Sequence, residues 1–393
     1  MSVVPGIEVL CHESPELVRG RKVALLAHAA SVDRAFVQSW DLLRSAGARL
    51  VRVLSPEHGL WAEAQDMEAV QGGTVMVGGR EVPLTSLYGA DASSLAPGGG
   101  DLDDIELLVV DLGDVGARYY TFAATADMAA AACLERSIEV VVADRPNPLG
   151  GLVHEGGASI ERRLRSFVGH FEVPARHGLT LGELVRSSAG RAGRADGLRI
   201  IEAKGWSRSA DGSSSAPSWI PPSPNMPTLE TAWVYPGACL VEGTDLSEGR
   251  GTTRPFETVG APYLDGEAVA SLLTALPLEG ASFRPLRFRP LFQKHAGVTC
   301  SGLFVHVTDR AAFRPLRTYA ALLWAARRVA GERMHWRRDA YEFRSDVPAI
   351  DLLWGSPDLR QAIDSGAPAR DILAMPDEAE REWEERRSAL RLY

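Results

Sequence analysis

Cysteine is scarce in this chain. The four in 393 residues, Cys11, Cys133, Cys239 and Cys300, stand far apart and form no CxxC pair. Such spacing offers neither a disulfide framework nor a thiolate zinc site, so each is read as a small buried apolar residue. No run approaches the roughly 20 apolar residues that a membrane span needs. The nine histidines include no HExxH and no HxH pattern, which leaves no indicated metal site. Neither GxGxxG nor GxxxxGK[ST] follows the first apolar run, so no nucleotide cofactor is expected. The triplet Gly98-Gly99-Gly100 sits in a linker at 92–101 and not in a strand-to-helix turn. Positive charge is also in deficit: 42 Lys and Arg against 51 Asp and Glu give a net charge of -9. Nothing electrostatic favours nucleic acid or an anionic membrane, and an anionic ligand would need a local cluster of basic residues. The opening residues lack a basic start followed by a sustained apolar stretch, which reads as no signal peptide and a cytoplasmic place. The expected partner is a small-molecule substrate, and oligomeric state is not legible.

What remains is an ordinary globular composition, 45% hydrophobic and 24% charged. The length predicts two α/β lobes. Four short, mostly apolar runs at 23–27, 50–54, 105–112 and 138–143 read as strands buried on both faces. Helical spacing at 35–45 and the alanine-rich 122–136 lie between them. That rhythm indicates βαβ units and a Rossmann-like parallel sheet, placed in an N-terminal domain at 1–155. A smaller mixed α/β C-terminal domain is expected at 156–393. In it, helices are read at 180–188, 267–276 and 313–329, and strands at 198–203 and 302–307. A polar loop is read at 208–218, an irregular proline-rich segment at 220–228, and a loop rich in Gly, Thr and charge at 235–256. The tail at 377–392 reads as a charged helix with a solvated face.

Polar residues collect just past each of the four apolar runs, where an open α/β sheet binds ligands. They are His28 to Ser31, then Ser55-Pro56-Glu57-His58-Gly59, then Asp111 to Tyr120, then Asp144-Arg145-Pro146-Asn147-Pro148. Glu57 follows a buried strand, where partial desolvation would raise its pKa and suit a general acid; a helix cap or loop salt bridge is the alternative. Asp111 and Asp114 are within reach of Arg118, in an internal bridge or in catalysis. Tyr119 and Tyr120 could stack on a sugar ring or hydrogen-bond to it. The 144–148 run is read chiefly as setting loop shape. Arg250 and Arg254 carry planar forks suited to a carboxylate, unless they pair with Glu242, Asp245, Glu248 or Glu257. His177 and His295 are isolated loop histidines, more often structural than catalytic.

In this order the blocks resemble the exo-β-N-acetylmuramidases of the NamZ type, glycoside hydrolase family 171, formerly the domain of unknown function DUF1343. The N-terminal blocks are Pro5 to Leu10, Ser55 to Leu60, Ser86 to Gly89, Asp114 to Thr121 and Asp144 to Gly151. Further on come Arg176 to Gly178, Pro221 to Thr228, Tyr235 to Gly237, Glu242 to Thr244, Leu246 to Phe256, Lys294 to Gly297 and Val307 to Asp309. The resemblance implies an active site in the cleft between the two domains. It also implies release of N-acetylmuramic acid from the non-reducing ends of peptidoglycan fragments, with Glu57 as the catalytic glutamate.

Glu57, Asp114 and Glu242 are accordingly assigned to catalysis. Substrate binding is assigned to His28, His58, Arg118, Tyr119 and Tyr120, and to His177, Asn225, Arg250, Thr252 and Arg254. Glu57 is expected to protonate the leaving oxygen. The second role stays open between Asp114, Glu242 and the substrate's own 2-acetamido oxygen. Arg250 or Arg254 is expected to take the lactyl carboxylate. Two stretches depart from the family pattern: Ala27-His28-Ala29-Ala30-Ser31, where relatives read like Thr-Asn-Gln-Thr-Gly, and Trp61 to Asp66, where they are basic and contain Gly. Many relatives are exported, whereas no export signal is read here, so a role on internalised muropeptides in cell-wall recycling is expected. A hydrolase of another sugar derivative and a non-catalytic muropeptide-binding protein remain the other readings.

Overall fold

The computed structural model describes residues 3–157, 159–214, 219–377 and 380–393. The polar loop read at 208–218 and the tail read at 377–392 lie partly outside these, at 215–218 and 378–379. Seven strands build the larger sheet: β1 (Lys22–Ala27), β2 (Arg49–Ser55), β3 (Gly73–Val77), β4 (Arg80–Ser86), β5 (Leu107–Asp111), β6 (Glu139–Ala143) and β7 (Leu198–Ile201). Their order is β3-β4-β2-β1-β5-β6-β7. Every pair is parallel except β3 with β4. Without β3, the parallel strands follow the doubly wound order, which changes direction between β1 and β5. All four strands expected from apolar runs are present. The segment after residue 155 returns to the same sheet and supplies its edge strand β7.

Alternate residues of the central strands feed two cores. Val23, Leu25, Val109 and Val141 pack with Ile7, Leu10 and Trp40, while Ala24, Leu26, Val110 and Val142 pack with Phe122, Ala126 and Leu184. Burial on both faces explains why these strands are apolar throughout. The helix expected at 35–45 begins only at Ser39. Ahead of it, the Asp33 carboxylate captures the amides of Ala35 and Val37, each at 2.8 Å, and fixes a loop in competition with the helix. The β3–β4 hairpin was not anticipated. Only Val75, Val77 and Val82 are buried in its two strands, and Gly78 and Gly79, both at positive φ, form its two-residue turn.

Three antiparallel strands, β8 (Thr258–Ala261), β9 (Ala281–Phe288) and β10 (Cys300–Val307), form the smaller sheet with β10 in the middle. Helices Gly266–Thr274 and Pro315–Ala330 accompany it. The loop expected from residue 235 in fact begins as helix, Leu229–Ala238, with Pro236 inside its last turn. Gly237 lets this helix approach Pro315 so closely that a Cβ there would lie 2.0 Å from the Pro315 carbonyl oxygen. The C-terminal helix Glu380–Ser388 is not merely a solvated face: Trp383 and Arg387 are buried, and Arg387 donates to the Gly151 carbonyl at 2.8 Å. All four cysteines are buried and free. No helix among the described residues is long and apolar enough to cross a membrane.

Candidate active site

β2 delivers Glu57 to the carboxyl edge of the large sheet, beside the reversal of strand order. A tight turn follows, in which the amides of His58 and Gly59 point back to the Pro56 carbonyl and Gly59 takes φ +84°. Glu57 is 4% exposed. Its carboxylate accepts from the Thr121 hydroxyl at 2.7 Å and from the Met67 amide at 3.2 Å. One donor thus sits on each oxygen of the carboxyl group.

This carboxyl group opens on a narrow cavity between the sheet edge and the second half of the chain. Tyr119, Tyr120 and Thr121 line one side, and Glu242, Arg250 and Tyr341 line another. The hydroxyls of Tyr119 and Tyr120 are buried there; that of Tyr119 makes no hydrogen bond among the described residues, and that of Tyr120 lies against the Ser223 hydroxyl. Buried polar groups left unpaired by the protein are ready partners for a polar ligand. His58 also reaches the cavity. Its Nδ1 lies 3.0 Å from the Ala64 carbonyl oxygen, which can only accept, so Nδ1 carries the proton.

Acidic groups dominate the walls. Glu57, Asp66, Glu242 and Glu342 share the cavity with one guanidinium, Arg250. Arg250 lies 2.7 Å from Glu242, 3.3 Å from Asp66 and 3.4 Å from Glu248. Burial works against its charge, and these three carboxylates more than offset that, raising its pKa further. Behind it, the Lys294 ammonium donates to Glu248 at 2.9 Å. Burial pushes the Glu248 pKa up, but Lys294 and Arg250 outweigh this and hold it below the usual range. Glu242 also accepts from the Tyr341 hydroxyl at 2.6 Å. Glu342 has no cation partner among the described residues and accepts from the Tyr88 hydroxyl at 3.0 Å. Burial raises its pKa well above the carboxylate range, and Glu57, Glu242 and Asp66 add to the rise against Tyr88.

Of the residues expected to form the site, the structure brings together Glu57, His58, Tyr119, Tyr120, Asn225, Glu242 and Arg250. Asn225 donates to Gln65 at 2.7 Å. The others lie elsewhere. Asp114 turns back into its own loop, accepting from the Gly116 amide at 2.8 Å, and stands 3.5 Å from the fully buried His177. Arg118 is turned away, with its guanidinium spent on the carbonyls of Gly157, Val173, Leu353 and Trp354. It pairs with neither aspartate; Asp111 is held instead by the fork of Arg145. His28 is sealed behind the Phe122 ring, its centroid 5.1 Å away. Burial, with the charges of Arg145 and His58, pushes its pKa down to about 3. Thr252 caps its own turn on the Gly249 carbonyl. Arg254 forks onto Glu257 and does not line the cavity. Neither arginine therefore presents an unpaired charge to a lactyl carboxylate. His295 bonds the Asp245 carbonyl oxygen at 2.8 Å.

Sequence reasoning missed Asp66, Thr121, Tyr341 and Glu342, and gave Tyr88 no role beyond its block. Among the described residues no cluster of three or more His, Cys, Asp or Glu is arranged to hold a metal ion.

Comparison with known proteins bears on this geometry. The profile described as Exo-beta-N-acetylmuramidase NamZ, N-terminal, matches residues 23–230, and that described as Exo-beta-N-acetylmuramidase NamZ, C-terminal, matches residues 233–393. Peptidoglycan beta-N-acetylmuramidase NamZ of Bacillus subtilis (strain 168) is 33% identical over 392 residues, covering 100% of this chain and 91% of that protein. Two crystal structures of DUF1343 family proteins from Bacteroides fragilis NCTC 9343 share the fold. One aligns with a TM-score of 0.87 at 28% identity, the other with 0.76 at 25%. Each alignment covers 100% of this chain and 99% of the other.

Proposed function

The chain belongs to the NamZ exo-β-N-acetylmuramidase family, and from that premise we propose that it releases N-acetylmuramic acid from the non-reducing end of peptidoglycan fragments. The carrying observation is Glu57, a carboxyl group held by two donors on a cavity that also buries the Tyr119 hydroxyl without a hydrogen-bond partner among the described residues. Glycosidic hydrolysis needs carboxyl groups that exchange protons with the departing and entering oxygens, and such a cavity supplies them. In this reading Glu57 is a catalytic group, while Tyr119, Tyr120 and Asn225 hold sugar hydroxyl and acetamido groups. Arg250 positions Glu242 and Asp66. Cell-wall turnover or recycling in the cytoplasm is part of the same proposal, and cell fractionation tests the location.

Incubation with a disaccharide carrying a non-reducing N-acetylmuramic acid, followed by mass spectrometry, tests the activity. Free N-acetylmuramic acid is expected, and intact disaccharide would refute the reading. One observation favours the alternative of a different sugar derivative. The cavity carries four carboxyl groups against a single, already paired cation, which is poor preparation for an anionic sugar. Faster turnover of the matching glucosaminyl disaccharide would support that alternative.

A further inference from the structure

Glu342 stands out by its backbone before its chemistry. Tyr341 and Arg344 exchange backbone hydrogen bonds of 2.8 and 2.9 Å, closing a four-residue turn. Its two central residues, Glu342 and Phe343, take φ +47° and +64°. This is the primed turn that Asn-Gly normally supplies. Placing two residues with side chains in the left-handed region costs roughly 1–2 kcal/mol each. Strain of this kind persists where surrounding structure over-determines it, and it clusters at functional sites. The neighbours here are specific. The Phe343 ring packs on Tyr88 with centroids 5.3 Å apart, and the Tyr88 hydroxyl donates to Glu342. That same hydroxyl lies within reach of Glu57. The strained turn thus holds a second carboxyl group near the first, both beside the Tyr88 hydroxyl.

The groups set against Glu342 are carboxyls and phenols, with His58 also lining the cavity and the Arg337 guanidinium over the neighbouring Tyr341 ring at 5.1 Å. Glu57 comes from the β2 edge, Asp66 from the following loop, Glu242 from beside Arg250, and Tyr88 and Tyr341 from their own segments. Arg250, the one cation lining the cavity, is committed to Glu242, Asp66 and Glu248. Four carboxyl groups around one guanidinium cannot all ionise cheaply. The one that keeps a proton is the one without a cation or backbone amide against it.

We propose that Glu342 is the general acid of this site and that Glu57 works opposite it as the carboxylate. The proposal rests on the glycosidase reading and assigns Glu342, in place of Glu57, to the leaving oxygen. As the C1–O bond breaks, its electron pair passes to the leaving oxygen, which takes the proton of Glu342. Water adds its oxygen to C1 and gives one proton to the Glu57 carboxylate. Proton exchange with solvent then restores both groups, so the net reaction consumes one water and yields sugar and alcohol. Tyr88 is a positioning residue, bonded to one oxygen of Glu342 and leaving the other for the acidic proton.

The test compares Glu342→Gln with Glu57→Gln on β-N-acetylmuramides whose leaving groups differ in acidity. Dinitrophenolate departs without a proton, whereas a sugar hydroxyl does not. Glu342→Gln should lose at least about 100-fold on the disaccharide, the usual contribution of a general acid, and less than about 10-fold on the dinitrophenyl substrate. Its pH–rate profile should also lose the alkaline limb. Glu57→Gln should lose activity on both substrates alike. Equal losses for Glu342→Gln on the two substrates, or leaving-group dependence in Glu57→Gln instead, would overturn the assignment. Tyr88→Phe provides a reading that does not depend on the first variant folding. Removing a donor from Glu342 should shift the alkaline limb upward in pH, and an unmoved limb contradicts the proposal. Wild-type protein inactive on every muramide would instead refute the glycosidase reading itself.

Discussion

Substituting methionine for Arg250 keeps much of the side chain's apolar volume and deletes the guanidinium between Glu242, Asp66 and Glu248. The residue is 6% exposed, and its guanidinium also lies over the Phe256 ring at 5.0 Å. Removing one partner of a buried ion pair typically costs about 3–5 kcal/mol, because the remaining charge stays buried without compensation. Arg250→Met should therefore lose about 3–5 kcal/mol at neutral pH in urea unfolding. Adding Glu242→Gln removes one orphaned charge, so the double variant should recover part of that loss, with a coupling of at least about 1 kcal/mol. The pH dependence has a definite sign. Glu248 has its folded pKa depressed, so the stability it contributes is full above its unfolded value and is lost as pH falls below about 4.5. The gap between wild type and Arg250→Met should shrink over that acidic window. Activity should fall equally on muramyl and glucosaminyl substrates, since Arg250 acts by holding its neighbours. A cost below about 1 kcal/mol, or a loss confined to muramyl substrates, would refute the reasoning and return Arg250 to the role of lactyl reader.

Two further outcomes follow from single contacts. Thr121→Val removes the hydroxyl donor on the buried Glu57, which should cost about 1–3 kcal/mol in urea unfolding and lower turnover about 10-fold or more; a variant unchanged in both would show that the contact is idle. Glu155 accepts from the amides of Leu316 and Arg317 at the start of the Pro315–Ala330 helix, yet burial pushes its pKa up to about 7. A carboxyl group raised in this way favours the fold when protonated. The Glu155 contribution to stability should therefore be greatest below about pH 4.5 and fall by about 3 kcal/mol as pH rises to 7. Urea unfolding of Glu155→Gln should lack this decline, and an equal slope in both proteins would remove Glu155 as its cause.

The parts of the fold legible from sequence were those where burial leaves an unbroken mark. β1, β5 and β6 are covered on both faces, so Val23–Ala27 and Leu107–Asp111 read as apolar runs, and the polar turns after them read as a ligand edge. Glu57 was legible for the same reason. Direction was not: Asp114 and Arg118 sit on the correct edge, but an amide of its own loop claims Asp114 and carbonyls of neighbouring segments claim Arg118. The β3–β4 hairpin left only Gly78-Gly79 and a weak alternation. Glu342 was hidden most completely, because its turn is built on Glu-Phe, with neither Gly nor Asn to announce positive φ. Pairing of Arg250 with Glu242 and Glu248, and of Arg254 with Glu257, was legible from their nearness in the chain. The third partner of Arg250, Asp66, comes from about 180 residues away, and spacing carries no trace of it.

The most direct test of a glycosidase centred on Glu57 is release of the chromophore from an aryl β-N-acetylmuramide, measured beside the matching β-N-acetylglucosaminide with wild type and Glu57→Gln. Turnover of the muramide by wild type, reduced at least about 100-fold in a folded Glu57→Gln variant, is the expected result. Undiminished turnover in the variant, or none by wild type on the muramide, would contradict it.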